Sequence, residues 1–221
     1  MPKVSEDYLN SKRESIIEAA LSLCKTMPLY QITMRDIIKR IGSSQGGIYR
    51  YFPDIDAILV EVYNRCNPNA DYRNNIDNII ENSKSHKEAV EELFSFSNRY
   101  LLENLNTVGK FIYELGVLMS TQPVRGRKIQ SKIKDGQNGQ YFIQKLYQVI
   151  REGISEGEFH PVIQENDILS FISIAIDGII FDGSLLLCYK VPQIGEVPFD
   201  ITKLIETLKT AVMLMLNVNN S

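Results

Sequence analysis

Apolar residues recur along the chain at intervals of three and four, and strand-type alternation never lasts more than a few positions. The pattern predicts an all-α protein. Ile16, Ala20, Cys24 and Met27 fall at i, i+4, i+8 and i+11, and Ile17 and Leu21 widen that stripe. A first helix is therefore expected over 11–25, stopped by Pro28. Thr33-Met34-Arg35-Asp36 has the form of a capping box, with a hydroxyl at N-cap and a carboxylate three residues on. Ile37, Ile38 and Ile41 supply the apolar face of the short helix that follows, and Gly42 can take the left-handed conformation that ends it. Ser43 and Ser44 can cap a third short helix carrying Gln45 to Tyr51. Pro53-Asp54 then opens a fourth, over 54–65.

Longer helices are expected beyond Asn67-Pro68. One covers 87–103, with Val90, Phe94, Ser97 and Leu101 on one face, and another 107–119. Pro123 precedes a long segment over 124–156 that bends near Gly136 and Gly139. Gly157 and Pro161 mark a loop. Asp167 caps a very apolar helix reaching 189, and Pro192, Gly195 and Pro198 form the next loop. Asp200 caps the last helix, through Ile201, Leu204, Leu208, Val212 and Met215.

The most informative stretch is TMRDIIKRIGSSQGGIYRYF, from Thr33 to Phe52. Two short capped helices joined by a tight turn build a helix-turn-helix, whose second helix is presented to the DNA major groove. Ser44 and Gln45 stand at the start of that helix, where side chains reach base edges, and glutamine can pair with adenine through two hydrogen bonds. Adjacent Gly46 and Gly47 each cost about 1 kcal/mol relative to alanine in a helix, which points to close approach of another molecule to the backbone. Tyr49, Arg50 and Tyr51 offer donors for phosphates. Ile48 and Phe52, at i and i+4, anchor the helix inward. The candidate DNA contacts are Thr33, Arg35, Ser44, Gln45, Gly46, Gly47, Tyr49, Arg50 and Tyr51.

This stretch resembles the DNA-binding domain of the TetR family of bacterial regulators, in GSSQGGIYRYFPDIDAIL and, further back, in IIEAALSLC. A looser similarity runs through EGISEGEFHP and DILSFISIAIDGIIF. The resemblance implies an all-helical homodimer with an N-terminal three-helix reader (1–53) and a larger helical domain for effector binding and dimerisation (54–221). It also implies a palindromic double-stranded DNA operator from which a small-molecule effector releases the protein. Carried over by motif position, Ser44, Gln45, Gly46, Tyr49 and Arg50 lie at the DNA surface, and Thr33 sets a helix N-terminus against a phosphate. Two positions depart from the family pattern. Asp54-Ile55-Asp56 stands where many relatives have Ser-Lys-Glu, and Gln45 stands where lysine is common. Both departures imply weaker nonspecific electrostatics, with a log–log salt slope shallower by about 0.9 for each phosphate that goes unneutralised.

Composition changes the picture in one respect. Net charge is −3 over 221 residues, which alone argues against a nucleic-acid partner. Residues 1–53 nevertheless hold 8 Lys+Arg against 5 Asp+Glu, net +3, and the remainder 16 against 22, net −6. Cys24, Cys66 and Cys188 are too few and too scattered for a disulfide framework or a zinc site. The richest apolar stretch, 168–189, is interrupted by Asp177 and Asp182, and no run approaches the ~20 residues of a membrane span. With no apolar signal core at the N-terminus, a cytoplasmic protein is expected. No P-loop, dinucleotide fingerprint, H-E-x-x-H or G-x-S-x-G is present, so neither an enzyme nor a cofactor or metal is expected.

For an effector pocket the candidates are Phe94, Tyr100, Phe111, Tyr113, Phe142 and Phe171, aromatic residues with an occasional hydroxyl, as pockets between helices need. For the dimer seam they are Gly178, Phe181, Leu185, Leu204, Leu208 and Val212. Asp177 and Asp182 read either as counter-ions for a cationic ligand or as a solvent-facing or seam-facing pair. The alternatives to an effector-released repressor are a DNA-binding protein of the same fold controlled by a protein partner, and a dimeric helical interaction protein.

Overall fold

The structure is a computed structural model that describes residues 6–66, 69–133, 138–189, 191 and 198–217. Its α-helices are α1 (Glu6–Cys24), α2 (Met34–Ile41), α3 (Gln45–Tyr49), α4 (Ile55–Cys66), α5 (Asn69–Asn82), α6 (His86–Asn104), α7 (Lys110–Thr121), α8 (Pro123–Gln130), α9 (Asn138–Ser155), α10 (Glu165–Tyr189) and α11 (Ile201–Leu216). A 3₁₀ turn, Leu29–Gln31, follows α1, and a π turn, Leu105–Gly109, joins α6 to α7. No strand occurs among the described residues.

Local chemistry sets most boundaries. Thr33 caps α2 while the Asp36 carboxylate accepts from the Thr33 N–H at 2.9 Å, so both halves of the capping box are made. Gly42 ends that helix at φ 68, a conformation that costs glycine nothing. The Ala57 N–H donates to Asp54 Oδ1 at 2.8 Å, and the Lys203 N–H to Asp200 Oδ1 at 3.1 Å. Other boundaries differ from expectation. Ser44 is the N-cap of α3 by position, but its side chain makes no capping hydrogen bond. Asp167 lies inside the first turn of α10, which starts at Glu165. The segment expected as one bent helix over 124–156 is two helices, α8 and α9, with 134–137, including Gly136, outside the described residues. Pro192 and Gly195 lie outside them too. α5 adds a helix that periodicity does not predict, because its asparagine-rich sequence carries few apolar positions.

The chain forms two compact units. One comprises Met1–Asn67 with Asn106–Lys134, the other Pro68–Leu105 with Asp135–Ser221. The first holds α1–α4, α7 and α8 around a core of Ile16, Ala20, Ile37, Ile48, Phe52 and Ile58, each at most 3% exposed. Within it Lys110 and Glu114 are 2% and 4% exposed and lie 3.4 Å apart. The Lys110 ammonium donates to the carbonyl of Cys24, at the end of α1, and to that of Met27, while Glu114 accepts from the Leu29 N–H. The pair thus occupies backbone groups that the end of α1 and its turn would otherwise bury unmet. Burial pushes the Cys24 thiol up to about 12, against the opposing pull of Lys110.

In the second unit α6 packs against α5, α9 and α11, and α10 against α11. Glu158, in the loop after α9, accepts from the N–H groups of His86 at 2.9 Å and Lys87 at 2.8 Å and so closes the start of α6. Ile168, Ile172, Ile176 and Ile179 of α10 face the core. α10 is, among the described residues, a helix long and apolar enough to cross a membrane by length and composition. That differs from the expectation that Asp177 and Asp182 interrupt the run too often. Both carboxylates are exposed on its outer side.

Candidate DNA-reading surface

The surface is built from the first unit outward. Ile48 and Phe52 are 1% and 2% exposed and fix α3 on the core. The Arg13 guanidinium stacks over the Phe52 ring, 4.5 Å from its centroid, and ties α1 to the same anchor. With those positions inward, the other side of α3 faces out. Ser44, Gly46, Tyr49 and Arg50 are exposed, Tyr49 at 46%. Thr33 and Arg35 are exposed at the start of α2. Tyr51 is partly buried and packs on the core. The side chain of Gln45 lies outside what the structure describes, although its backbone opens α3.

The two glycines turn out to be different. A Cβ on Gly47 would come within 2.9 Å of Ser43 Oγ and 3.3 Å of Ser44 Oγ, so the fold itself gives this position a reason to be small. A Cβ on Gly46 would meet nothing within 4 Å. At the start of α2 the hydrogen bonds from the Thr33 hydroxyl and N–H hold the Asp36 carboxyl below its ordinary pKa. That cap keeps the α2 N-terminus formed.

The effector candidates fall in both units. Phe94 and Phe142 belong to the core of the second unit at 0% and 4% exposure, and Tyr100 packs against it, 4.6 Å from Tyr72 by ring centroids. Phe171 is exposed on α10. Phe111 and Tyr113 lie on α7, in the first unit. There Phe111 lines a cavity of about 20 Å³ with Cys24, Tyr63 and Cys66, room for about one water. Among the dimer candidates, Gly178, Leu204 and Leu208 line one open groove of about 460 Å³ between α10 and α11, and Phe171 joins them there. Phe181 is exposed and Leu185 half-buried, whereas Leu208 and Val212 are buried in the core. Outward residues of α10 that the sequence pattern does not single out include Ile174, at 72% exposure. Its position seven before Phe181 and three after Phe171 is the signal that could have found it.

A capped helix, a left-handed glycine turn and a short helix anchored by two buried side chains with its other side open define a helix-turn-helix DNA-binding protein. Residues 16–62 match the family model described as bacterial regulatory proteins, tetR family. Over 189 residues the chain is 24% identical to the uncharacterized HTH-type transcriptional regulator YfiR of Bacillus subtilis, covering 81% of this chain and 83% of the relative. The fatty acid degradation regulator FadR from Bacillus halodurans has a similar fold, with a TM-score of 0.61 at 17% identity over 98% of this chain and 100% of that one. FadR from Bacillus subtilis in complex with stearoyl-CoA superposes with a TM-score of 0.55 at 18% identity, over 93% and 99%. Residues 16–62 thus carry a DNA-binding domain of the tetR family of bacterial regulatory proteins, the whole chain shares the fold of such regulators, and it is a DNA-binding transcriptional regulator.

Proposed function

We propose that the protein is a repressor that binds a palindromic operator as a homodimer through α3 and is released by a small-molecule effector. Residues 1–53 read the DNA and 54–221 serve effector binding and dimerisation. The observation that carries the reading is α3 itself, locked inward by Ile48 and Phe52 with Ser44, Gly46, Tyr49 and Arg50 open to solvent. Thr33 and Arg35 contact phosphate from the start of α2, Gln45 reads a base edge, and Tyr51 steadies the helix from its half-buried position. The family's function is regulation of transcription, which supports a protein without enzymatic activity that works in the cytoplasm.

The related fold of FadR in complex with stearoyl-CoA supports an effector with a long apolar portion. The ~20 Å³ cavity beside Phe111 is far below the roughly 300–1,000 Å³ of ligand sites, so binding at Phe111 requires repacking there, whereas Phe171 lines the open groove of about 460 Å³ between α10 and α11. An effector that prefers the repacked state shifts the population away from the DNA-binding one, and only that difference in affinity can do so.

Selection of bound duplexes from a random pool tests the first half. Enrichment of a palindrome with half-sites about one helical turn or somewhat more apart is expected, and recovery of no common sequence overturns it. A thermal-shift screen with acyl-CoA and fatty-acid series tests the second. The expected hit raises the melting temperature and frees the operator; a series in which no compound does both removes the effector reading.

A further inference from the structure

Beside the exit of α3, two carboxylates and a basic helix meet. Asp54 and Asp56 follow Arg50 by four and six residues. Alone they would confront the phosphates of a bound duplex with like charge. α8 covers both. Arg125 grips Asp56 through Nε at 3.0 Å and Nη2 at 2.7 Å, and Lys128 Nζ lies 3.0 Å from Asp54 Oδ2. The Lys132 ammonium also acts on Asp54.

α8 is fixed in rotation. Ile129 is 1% exposed, and a Cβ on Gly126 would lie 2.8 Å from Met119 Sδ and 3.0 Å from its backbone. At 100° per residue this sets Arg125 and Lys128 toward α4 and Arg127 on the far side. Lys128 and Lys132 remain exposed, while the Arg125 side chain is only 25% so. Charge follows the same division. The unit Met1–Asn67 with Asn106–Lys134 holds 15 Lys+Arg against 9 Asp+Glu, net +6, and the other unit 9 against 18, net −9. The segment 106–134 alone carries six of those cations against one carboxylate.

Reach agrees with this. Four residues span at most about 14 Å, and the major groove is about 12 Å wide, so cations paired to Asp54 lie no farther from Arg50 than about one groove width.

We propose that α8 and the turn after it form an auxiliary DNA-backbone contact: Lys128 of α8 and Lys132 of that turn engage phosphates flanking the half-site, and Arg125, locked on Asp56, positions the helix. The proposal rests on α3 as the DNA reader. α8 thereby supplies the positive charge that the start of α4 lacks.

The test uses the full chain and a duplex from the selection above, with affinity followed against salt. Lys128→Ala with Lys132→Ala should shallow the log–log slope by about 1.8, two phosphates at about 0.9 each, which means an affinity that falls about tenfold less between 50 and 200 mM salt. The order of preference among half-site sequences should not change. Arg127→Ala, with the charge removed from the far side of α8, should leave the slope within error. Asp54→Asn keeps a capping side chain and frees Lys128, so binding should tighten and the slope steepen. A wild-type slope in the double variant, or an equal effect from Arg127→Ala, overturns the α8 contact while the reader stands. Loss of sequence preference in Tyr49→Ala marks the reader as intact in the parent. A wild-type chain that binds no duplex overturns both readings.

Discussion

A leucine at Gly46 would project into open space, because a Cβ there meets no atom within 4 Å. The position is exposed and near the start of a five-residue helix. Replacing glycine by alanine in a helix stabilises it by about 1 kcal/mol, so the chain forgoes that gain at a site where its own packing asks for nothing small. Gly46→Leu should therefore hold or raise the melting temperature and lose operator binding, read by fluorescence anisotropy. A variant that still binds like the parent removes Gly46 from the contact surface. Lys110 presents the opposite case, since its surroundings are wholly internal. Lys110→Met leaves Glu114 buried without the ammonium 3.4 Å away, and breaking one side of a buried pair costs about 3–5 kcal/mol. Urea denaturation should show that destabilisation, and Lys110→Met with Glu114→Leu should recover part of it if the uncompensated charge is the cause. The sequence pattern could not signal this pair, because its partners, the backbone groups of Cys24, Met27 and Leu29, stand more than eighty residues away.

Helix ends are the most legible elements, since a cap is a local event. The Thr33–Asp36 box, the Gly42 turn and the caps at Asp54 and Asp200 can all be read from four or five consecutive residues. The cap on α6 is only half local. Ser85 Oγ accepts from the Glu88 N–H, and the Glu158 carboxylate, seventy-two residues from His86, accepts from the His86 and Lys87 N–H groups. α5 escapes the pattern for a related reason: Tyr72 and Ile76 are buried against α6 and α9, but asparagines dilute the stripe between them. Burial pushes the Glu158 carboxyl up, and the Lys87 and His86 N–H groups with the His86 ring more than offset it, leaving it below 4.5. A depressed folded-state pKa means stabilisation that is complete above the unfolded value near 4.5 and is lost as pH falls through the folded value. Melting temperature should thus decline below about pH 4.5, and Glu158→Gln should lower it at pH 7 while flattening that decline. Parallel curves for the two proteins would assign the acid sensitivity elsewhere, with Asp36 and Asp77, also held low by their hydrogen bonds, as the next carboxylates to change.

At the scale of the molecule, net charge misleads because it averages a +6 unit with a −9 unit. The division follows compactness rather than chain order, and residues 106–134 return to the unit that carries the reader. That return is invisible to periodicity. The outer stripe of α10 is a second feature of this scale. Phe171, Ile174, Gly178 and Phe181 succeed one another at three- and four-residue steps and are all exposed, and Leu204 adds to them from α11. An apolar stripe of this kind marks an interaction site, and in a homodimer the same stripe would serve both subunits across a two-fold axis. Ile174 makes the sharpest probe: at 72% exposure a charge there costs the isolated chain about 0.5 kcal/mol or less, whereas in an apolar seam two glutamates would be desolvated together. Ile174→Glu should then sediment at the 25.2 kDa of one chain and unfold in urea in one cooperative transition that no longer depends on protein concentration. Affinity for a full palindrome should fall to that for a single half-site, because the second reader is no longer tethered to the first. A variant that stays dimeric and binds the palindrome like the parent would move the seam off α10 and leave its outer stripe to another partner.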